Sequence, residues 1–212
     1  MADYKKPDHW QLKARKEGYP ARSVYKLMEM DEKFTLFKAK SSNTIKILDI
    51  GAAPGSWSLY VLRKMIKNKN VFLAAADLFV LSREFDKGLF DNENFFFIQG
   101  DVTTPQVRET LLSKGPYNII ISDVAPSTTG NHMIDSARSL ELAETVVSYA
   151  ENTLAPGGNL VIKIFQGSGV DELLKKMKTL FTTAKSFKPQ ACRGESMETY
   201  YIGLSRSGKI VV

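Results

Sequence analysis

A lysine stands in the middle of an apolar run. In "NLVIKIFQG", Asn159 to Gly167, the neighbours Leu160, Val161, Ile162, Ile164 and Phe165 are all apolar and Lys163 interrupts them. Lysine is almost never fully buried without a partner. An unpaired ammonium in an apolar layer would cost several kcal/mol or be driven neutral. A second set of residues answers it in charge. Asp49, Asp77, Asp101 and Asp123 each fall near the end of an apolar segment. A carboxylate there can accept hydrogen bonds from ribose hydroxyls, as the acidic residue of dinucleotide sites does. Asp101, in "QGDV", is placed to accept from an adenine amino group. One such aspartate could be a helix cap. Several at successive segment ends point to a ligand that carries a nucleoside.

The turn "LDIGAAPGSWS" narrows the ligand. Gly51 permits a tight turn out of an apolar segment, and Gly55 lets a ligand approach the backbone. The spacing is not G-x-G-x-x-G, and the bulky Trp57 follows, so the pattern is not that of a dinucleotide site. An acidic lining also favours a nucleoside without phosphates. S-adenosyl-L-methionine fits, with its ribose, its adenine and its cationic sulfonium.

These residues must be held by regular elements. Apolar runs at 45–51, 71–78, 94–102, 117–126 and 159–165 read as strands. Helical spacing at 55–67, 104–115, 135–158 and 170–181 reads as the segments between them. Strands alternating with helices argue for a doubly wound, mostly parallel sheet covered on both faces. The segments 184–189 and 198–206 follow each other without a helix, so they should form an antiparallel end to that sheet. Residues 1–44 stand outside the alternation as a basic N-terminal helical extension, and 45–212 form the main α/β domain.

The chain has 212 residues and a net charge of +6. The excess lies at the start: Lys5, Lys6, Lys13, Arg15, Lys16, Arg22, Lys26 and Lys33 precede the first strand, with Trp10, Tyr19 and Tyr25 among them. Cations interleaved with aromatics suit a nucleic-acid backbone and unstacked bases. The single cysteine, Cys192, excludes an internal disulfide and fits a reducing compartment. No apolar run is long enough to span a bilayer. A cytoplasmic protein acting as a monomer is expected. Cys192, His9 and His132 lack metal-ligand spacing, so no metal site is expected, and a structural or solvent-facing role suits all three.

Several stretches together resemble the FtsJ/RrmJ family of ribose 2′-O-methyltransferases. They are "ARSVYKL", "LDIGAAPGSWS", Asp77–Leu78, "QGD", "SDVAP", "LAPGGNLVIKIFQG" and "SMETYYI". The resemblance implies the Rossmann-like methyltransferase fold with an antiparallel last strand. It implies a catalytic tetrad of Lys26, Asp123, Lys163 and Glu198, and cofactor contacts from Gly51, Gly55, Trp57, Asp77, Asp101 and Asp123. Lys163 would then face a reacting ribose, either as a base whose pKa is lowered by Lys26 or as a positioning cation. Ser56, Val124 and Met197 depart from the family pattern, and Met197 removes a positive charge near the substrate. The implied substrate is a uridine in large-subunit ribosomal RNA, naked or in the ribosomal subunit. A tRNA anticodon loop is the first alternative, and a non-catalytic RNA-binding protein of the same fold is the second.

Overall fold

A computed structural model describes residues 8–37, 44–65 and 71–208. Lys5 and Lys6 lie outside the described residues. Two helices come first, α1 (His9–Lys16) and α2 (Val24–Phe34). Then follow β1 (Ile45–Ile50), α3 (Ser56–Met65), β2 (Val71–Asp77), β3 (Phe95–Gln99), α4 (Pro105–Ser113) and β4 (Tyr117–Ser122). The chain closes with α5 (His132–Thr153), β5 (Leu154–Phe165), α6 (Val170–Leu180), β6 (Phe181–Phe187) and β7 (Glu198–Arg206).

The strands form one seven-stranded sheet in the order β3-β2-β1-β4-β5-β7-β6. The pairs among β1 to β5 are parallel, and β7 runs antiparallel to both β5 and β6. The order reverses at β1, between β2 and β4. Ligands of such sheets bind at that switch point, outside the carboxyl ends of the strands.

Side chains alternate between faces with period two, and each face has its own cover. On one face α4, α5 and α6 place Val107, Leu111, Val147, Leu173 and Met177 against Leu48, Ile50, Ile120, Leu160 and Ile162. On the other, α2 and α3 place Leu27, Met30, Trp57 and Val61 against Ile47, Leu73, Ile119, Ile121, Val161 and Tyr200. The N-terminal extension therefore covers part of the main sheet.

Several boundaries differ from the sequence reading, three of them at the start of an element. Helix α5 starts at His132 instead of Asp135, because Asn131 caps it: its Oδ1 accepts from the amides of Met133 at 3.0 Å and Ile134 at 3.3 Å. Asp135 instead turns back to the Thr129 amide at 2.8 Å. Strand β5 begins at Leu154, which pairs with Tyr117, and shifts register before Asn159 meets Ile119. Strand β6 begins directly after α6, at Phe181.

Candidate active site

The tetrad is assembled by strand parity. Lys163 on β5 lies opposite Tyr200 on β7, and Phe165 lies opposite Glu198. Opposed residues of an antiparallel pair share a face. Lys163, Tyr200 and Glu198 therefore continue the apolar stripe of Val161 and Ile202 toward the carboxyl end of β5. That face is the one covered by α2, and α2 carries Lys26. Asp123 follows directly on the end of β4, beside β5.

The contacts close the group. Lys163 Nζ donates to the Asp123 backbone carbonyl at 2.6 Å and to Asp123 Oδ1 at 3.1 Å. Tyr200 donates its hydroxyl to the same Oδ1 at 2.6 Å. Lys26 Nζ pairs with Glu198 Oε1 at 2.5 Å and lies 6.0 Å from the centre of the Tyr200 ring. Cys192 Sγ donates to that same Glu198 oxygen at 3.0 Å. Cys192 is buried, so its place is structural, against Glu198.

The electrostatics follow from these partners. Burial alone would raise the Asp123 pKa, yet the Lys163 and Lys26 cations and the Tyr200 hydroxyl hold it below the usual carboxylate range. Burial alone would lower the Lys26 pKa, but Asp123 and Glu198 outweigh it and raise it. The two carboxylates therefore favour the ammonium form of Lys26. Burial, and then Glu198, push the Cys192 thiol up to about 12. The Tyr200 hydroxyl is raised well above its ordinary value by burial and by the carboxylates around it, so it remains a donor.

The turn after β1 holds this cluster in place. Gly51 has φ +79°, and a Cβ there would come within 2.6 Å of the Val124 backbone. Only glycine lets the segment after β4 pass so close. Ser56, one of the family departures, accepts from the Ala21 amide at 2.8 Å and donates to the Ala21 carbonyl at 3.1 Å. Trp57 donates its indole N–H to the Ser23 carbonyl at 2.9 Å. Residues 21–23 lead into α2, so these bonds set where Lys26 stands.

A cavity of about 410 Å³ opens at the switch point. Gly51, Asp77, Asp101 and Asp123 line it, with Leu78, Phe79 and Val102 as apolar wall. Gly55 and Trp57 are not among its lining residues. At Gly55, with φ +109°, an added Cβ would meet the Phe90 ring at 2.9 Å, so its side-chain space is taken by protein. Trp57 is buried in the core. Asp77 is engaged with the backbone: its Oδ2 accepts from the Ala53 amide and its Oδ1 from the Phe79 amide, both at 2.9 Å. Asp101 accepts from the Thr103 amide at 2.9 Å and the Thr103 hydroxyl at 2.7 Å, which lower its pKa.

Asp49 leaves the acidic row. It lies inside β1, and only acids at or beyond a strand end reach the cavity. Its side chain is fully buried, with Oδ2 accepting from the Ser58 hydroxyl at 2.7 Å and Oδ1 without a hydrogen-bond partner. Burial raises its pKa to about 7.

The model of the FtsJ-like methyltransferase family matches residues 19–206. The chain belongs to this family. It is 46% identical over 205 residues to the ribosomal RNA large subunit methyltransferase E of Treponema denticola, covering 97% of this chain and 98% of that one. The protein of the same name from Oleidesulfovibrio alaskensis is 43% identical over 203 residues, 95% of this chain and 92% of that one. Among solved structures, a ribosomal RNA methyltransferase from Plasmodium falciparum superposes with a TM-score of 0.73 at 26% identity, over 90% of this chain and all of that one. The match begins at Tyr19, so within this FtsJ-like chain α1 lies outside the family model while Lys26, Asp123, Lys163 and Glu198 lie inside it. Among the described residues no cluster of side chains could hold a metal ion, and no helix is long and apolar enough to cross a membrane.

Proposed function

We propose that the chain is an S-adenosyl-L-methionine-dependent RNA ribose 2′-O-methyltransferase that acts in the cytoplasm on a uridine of large-subunit ribosomal RNA. The observation that carries the reading is the charge cluster centred on Asp123, which also lines the cavity at the switch point.

The residues present fit the cofactor. Asp77 and Asp101 offer carboxylate oxygens to hydroxyl and amino donors, Leu78, Phe79 and Val102 offer apolar wall to an aromatic base, and Asp123 offers negative charge. Gly51, Asp77, Asp101 and Asp123 would hold it, with Gly55 and Trp57 shaping the turn behind. When bound, it supplies an electrophilic methyl group on a cationic sulfur.

The chain must activate the ribose oxygen that receives the methyl group. A ribose hydroxyl is a weak acid and needs a base or a cation beside the developing oxyanion. Two of the three positions on Lys163 Nζ are fixed by the bonds to Asp123. The third is the one a ribose oxygen would meet. Asp123, held ionised, fixes the direction of that third position, and Tyr200 fixes Asp123. Lys26 and Glu198 neutralise each other at the far side and keep the local field balanced. Positioning of this kind can supply much of a rate enhancement.

The names of the relatives at 46% and 43% identity support ribosomal RNA over a tRNA anticodon loop. Mapping 2′-O-methylation across total RNA in cells with and without this gene tests the reading. One methylation should vanish from large-subunit ribosomal RNA. A loss confined to tRNA, or no loss at all, would overturn it.

A further inference from the structure

Three aspartates meet at the switch point, and their charge is compensated unequally. Asp49 lies opposite Ala75 of β2 and Ile121 of β4 in the parallel register. Asp77 and Asp123 come two residues after those partners. Each therefore continues the face on which Asp49 lies, about 8 Å from it along and across the sheet. Asp77 and Asp123 line the cavity of about 410 Å³, the larger of it and a second of about 190 Å³ beside Lys26 and Glu198. Asp49 lies one step deeper, fully buried inside β1.

Asp123 accepts from Lys163 and Tyr200, and Asp77 accepts from two backbone amides. Asp49 has one neutral donor, the Ser58 hydroxyl, and an oxygen with none. We propose that Asp49 makes the pocket selective for the sulfonium cofactor over its demethylated product, whose sulfur is uncharged. The buried carboxyl holds a proton while the pocket is empty and gives it up to solvent when a positive charge enters. The inference rests on the cofactor reading given above.

A carboxyl is a poor structural choice at this place. A buried polar oxygen without a partner is destabilising, and two further acids within reach add repulsion. An asparagine would serve Ser58 as well, but it cannot change its charge. The groups that act on Asp49 come from each element packed against it: Ser58 from α3, Asp123 after β4 and Asp77 at the end of β2. Burial raises its pKa to about 7, the Ser58 hydroxyl opposes the rise, and the two carboxylates add to it. None of these groups is a cation. Lys163 and Lys26 are engaged by Asp123 and Glu198. A positive charge in the larger cavity favours the ionised form of Asp49, because it acts through protein and not through water. By linkage, the ionised carboxylate strengthens binding of that charge to the same extent. The neutral thioether of S-adenosylhomocysteine draws no such gain. Once the methyl group has left, the proton returns to Asp49 and the added affinity is lost, which favours release of the product.

Titration calorimetry of the full chain at about pH 6, in buffers of different ionisation enthalpy, counts the protons released on binding. The α-amino groups of both ligands are already charged at about that pH. S-adenosylmethionine should release roughly half a proton or more per site, and S-adenosylhomocysteine close to none. Sinefungin, which carries an amine in place of the sulfonium, should behave as the cofactor does. Between about pH 5.5 and about pH 7 the ratio of cofactor to product affinity should rise roughly tenfold, the size of one unit charge acting across several ångströms at an effective dielectric constant of about 20. Asp49→Asn should abolish the proton release and flatten the ratio, with affinity for S-adenosylhomocysteine near wild type. Ser58→Ala keeps the carboxyl and removes the bond that favours its ionised form, so the rise in the ratio should move to higher pH. That variant carries the test if Asp49→Asn does not fold. Equal proton counts for cofactor and product in the wild type, or a rise that survives in Asp49→Asn or stays in place in Ser58→Ala, would overturn the inference and leave the proposed function standing. A chain that binds neither ligand would overturn both.

Discussion

Lys163 and Tyr200 face each other across the β5–β7 pair and donate to the same oxygen, Oδ1 of Asp123, at 3.1 and 2.6 Å. The lysine that interrupts an apolar strand is therefore not a buried charge in search of compensation. It is one of two donors that the sheet's own register delivers to one carboxylate. The same carboxylate forms part of the wall of the larger cavity, which joins the charge cluster to the proposed cofactor pocket without any intervening residue.

Replacing Lys163 with methionine keeps the aliphatic stem and removes the ammonium. Asp123 retains Tyr200 as donor, and Lys26 remains to lower its pKa. Melting and binding of S-adenosylmethionine by calorimetry should stay near wild type. Single-turnover methyl transfer should fall on the order of 100-fold or more, the usual loss when a base or oxyanion partner is removed. A folded Lys163→Met protein that transfers methyl at the normal rate would show that Lys163 is structural.

Tyr200→Phe keeps the ring that packs against Trp57 and near Lys26 but removes the shorter of the two side-chain bonds to Asp123 Oδ1. The cost in stability should be about 1 kcal/mol, one buried hydrogen bond. Because that hydroxyl helps hold the Asp123 pKa down, its removal moves the pKa up. A group with a depressed folded pKa contributes stability above its unfolded pKa and loses it as pH falls through the folded one. The acid limb of the stability curve, which starts below about pH 4, should therefore be smaller and be complete at higher pH in Tyr200→Phe. Superimposable acid limbs would show that the hydroxyl does not support Asp123.

Asp49 acts in the opposite sense. Its folded pKa of about 7 is raised by burial above the ordinary value. Between about pH 4 and about 7 the folded chain holds a proton there that the unfolded chain has released. Stability then falls as pH rises through that window, by at most about 1.4 kcal/mol per pH unit. Asp49→Asn should flatten this limb, and urea denaturation at pH 5 and pH 8 measures it. An unchanged difference between the two pH values would assign the limb to other groups.

How legible each feature is in the sequence follows from the range over which it is determined. Strand β7 is legible to the residue, Glu198 to Arg206, because helix-free apolar patterning is local. The tetrad comes from a family resemblance, and the structure brings its four members together, Lys163 and Glu198 by register, Asp123 from the end of β4 and Lys26 from α2. Tyr200 could have been found from the sequence, two positions from Glu198 and hence on its face. Asp49 reads as one of the cavity acids only while the end of β1 is placed coarsely; one residue inside the strand suffices to send its side chain under α3, to Ser58. Asp8 against Arg22 and Arg193, and Cys192 against Glu198, have no signal in the sequence. Those pairings exist only after α1 and the loop before β7 are packed together.

The partners of the basic arm already engage part of its charge. Lys13 lies 4.8 Å from the centre of the Tyr25 ring and 5.3 Å from that of Trp10, and Arg15 pairs with Glu84 at 3.0 Å. Both ends of the Arg15–Glu84 pair are solvent-exposed, where an ion pair is worth little, about 1 kcal/mol or less. Such a pair exchanges readily for a bond to phosphate. Lys16 is exposed on the same helix. Changing Lys13, Arg15 and Lys16 to glutamine should therefore lower the slope of log affinity for ribosomal RNA against log salt by roughly 0.7 to 0.9 for each phosphate that the arm no longer neutralises. Cofactor affinity should hold, since none of the three lines the larger cavity. A slope equal to wild type would show that RNA approaches the tetrad by another face, and the net charge of this helix would then be a matter of solubility alone.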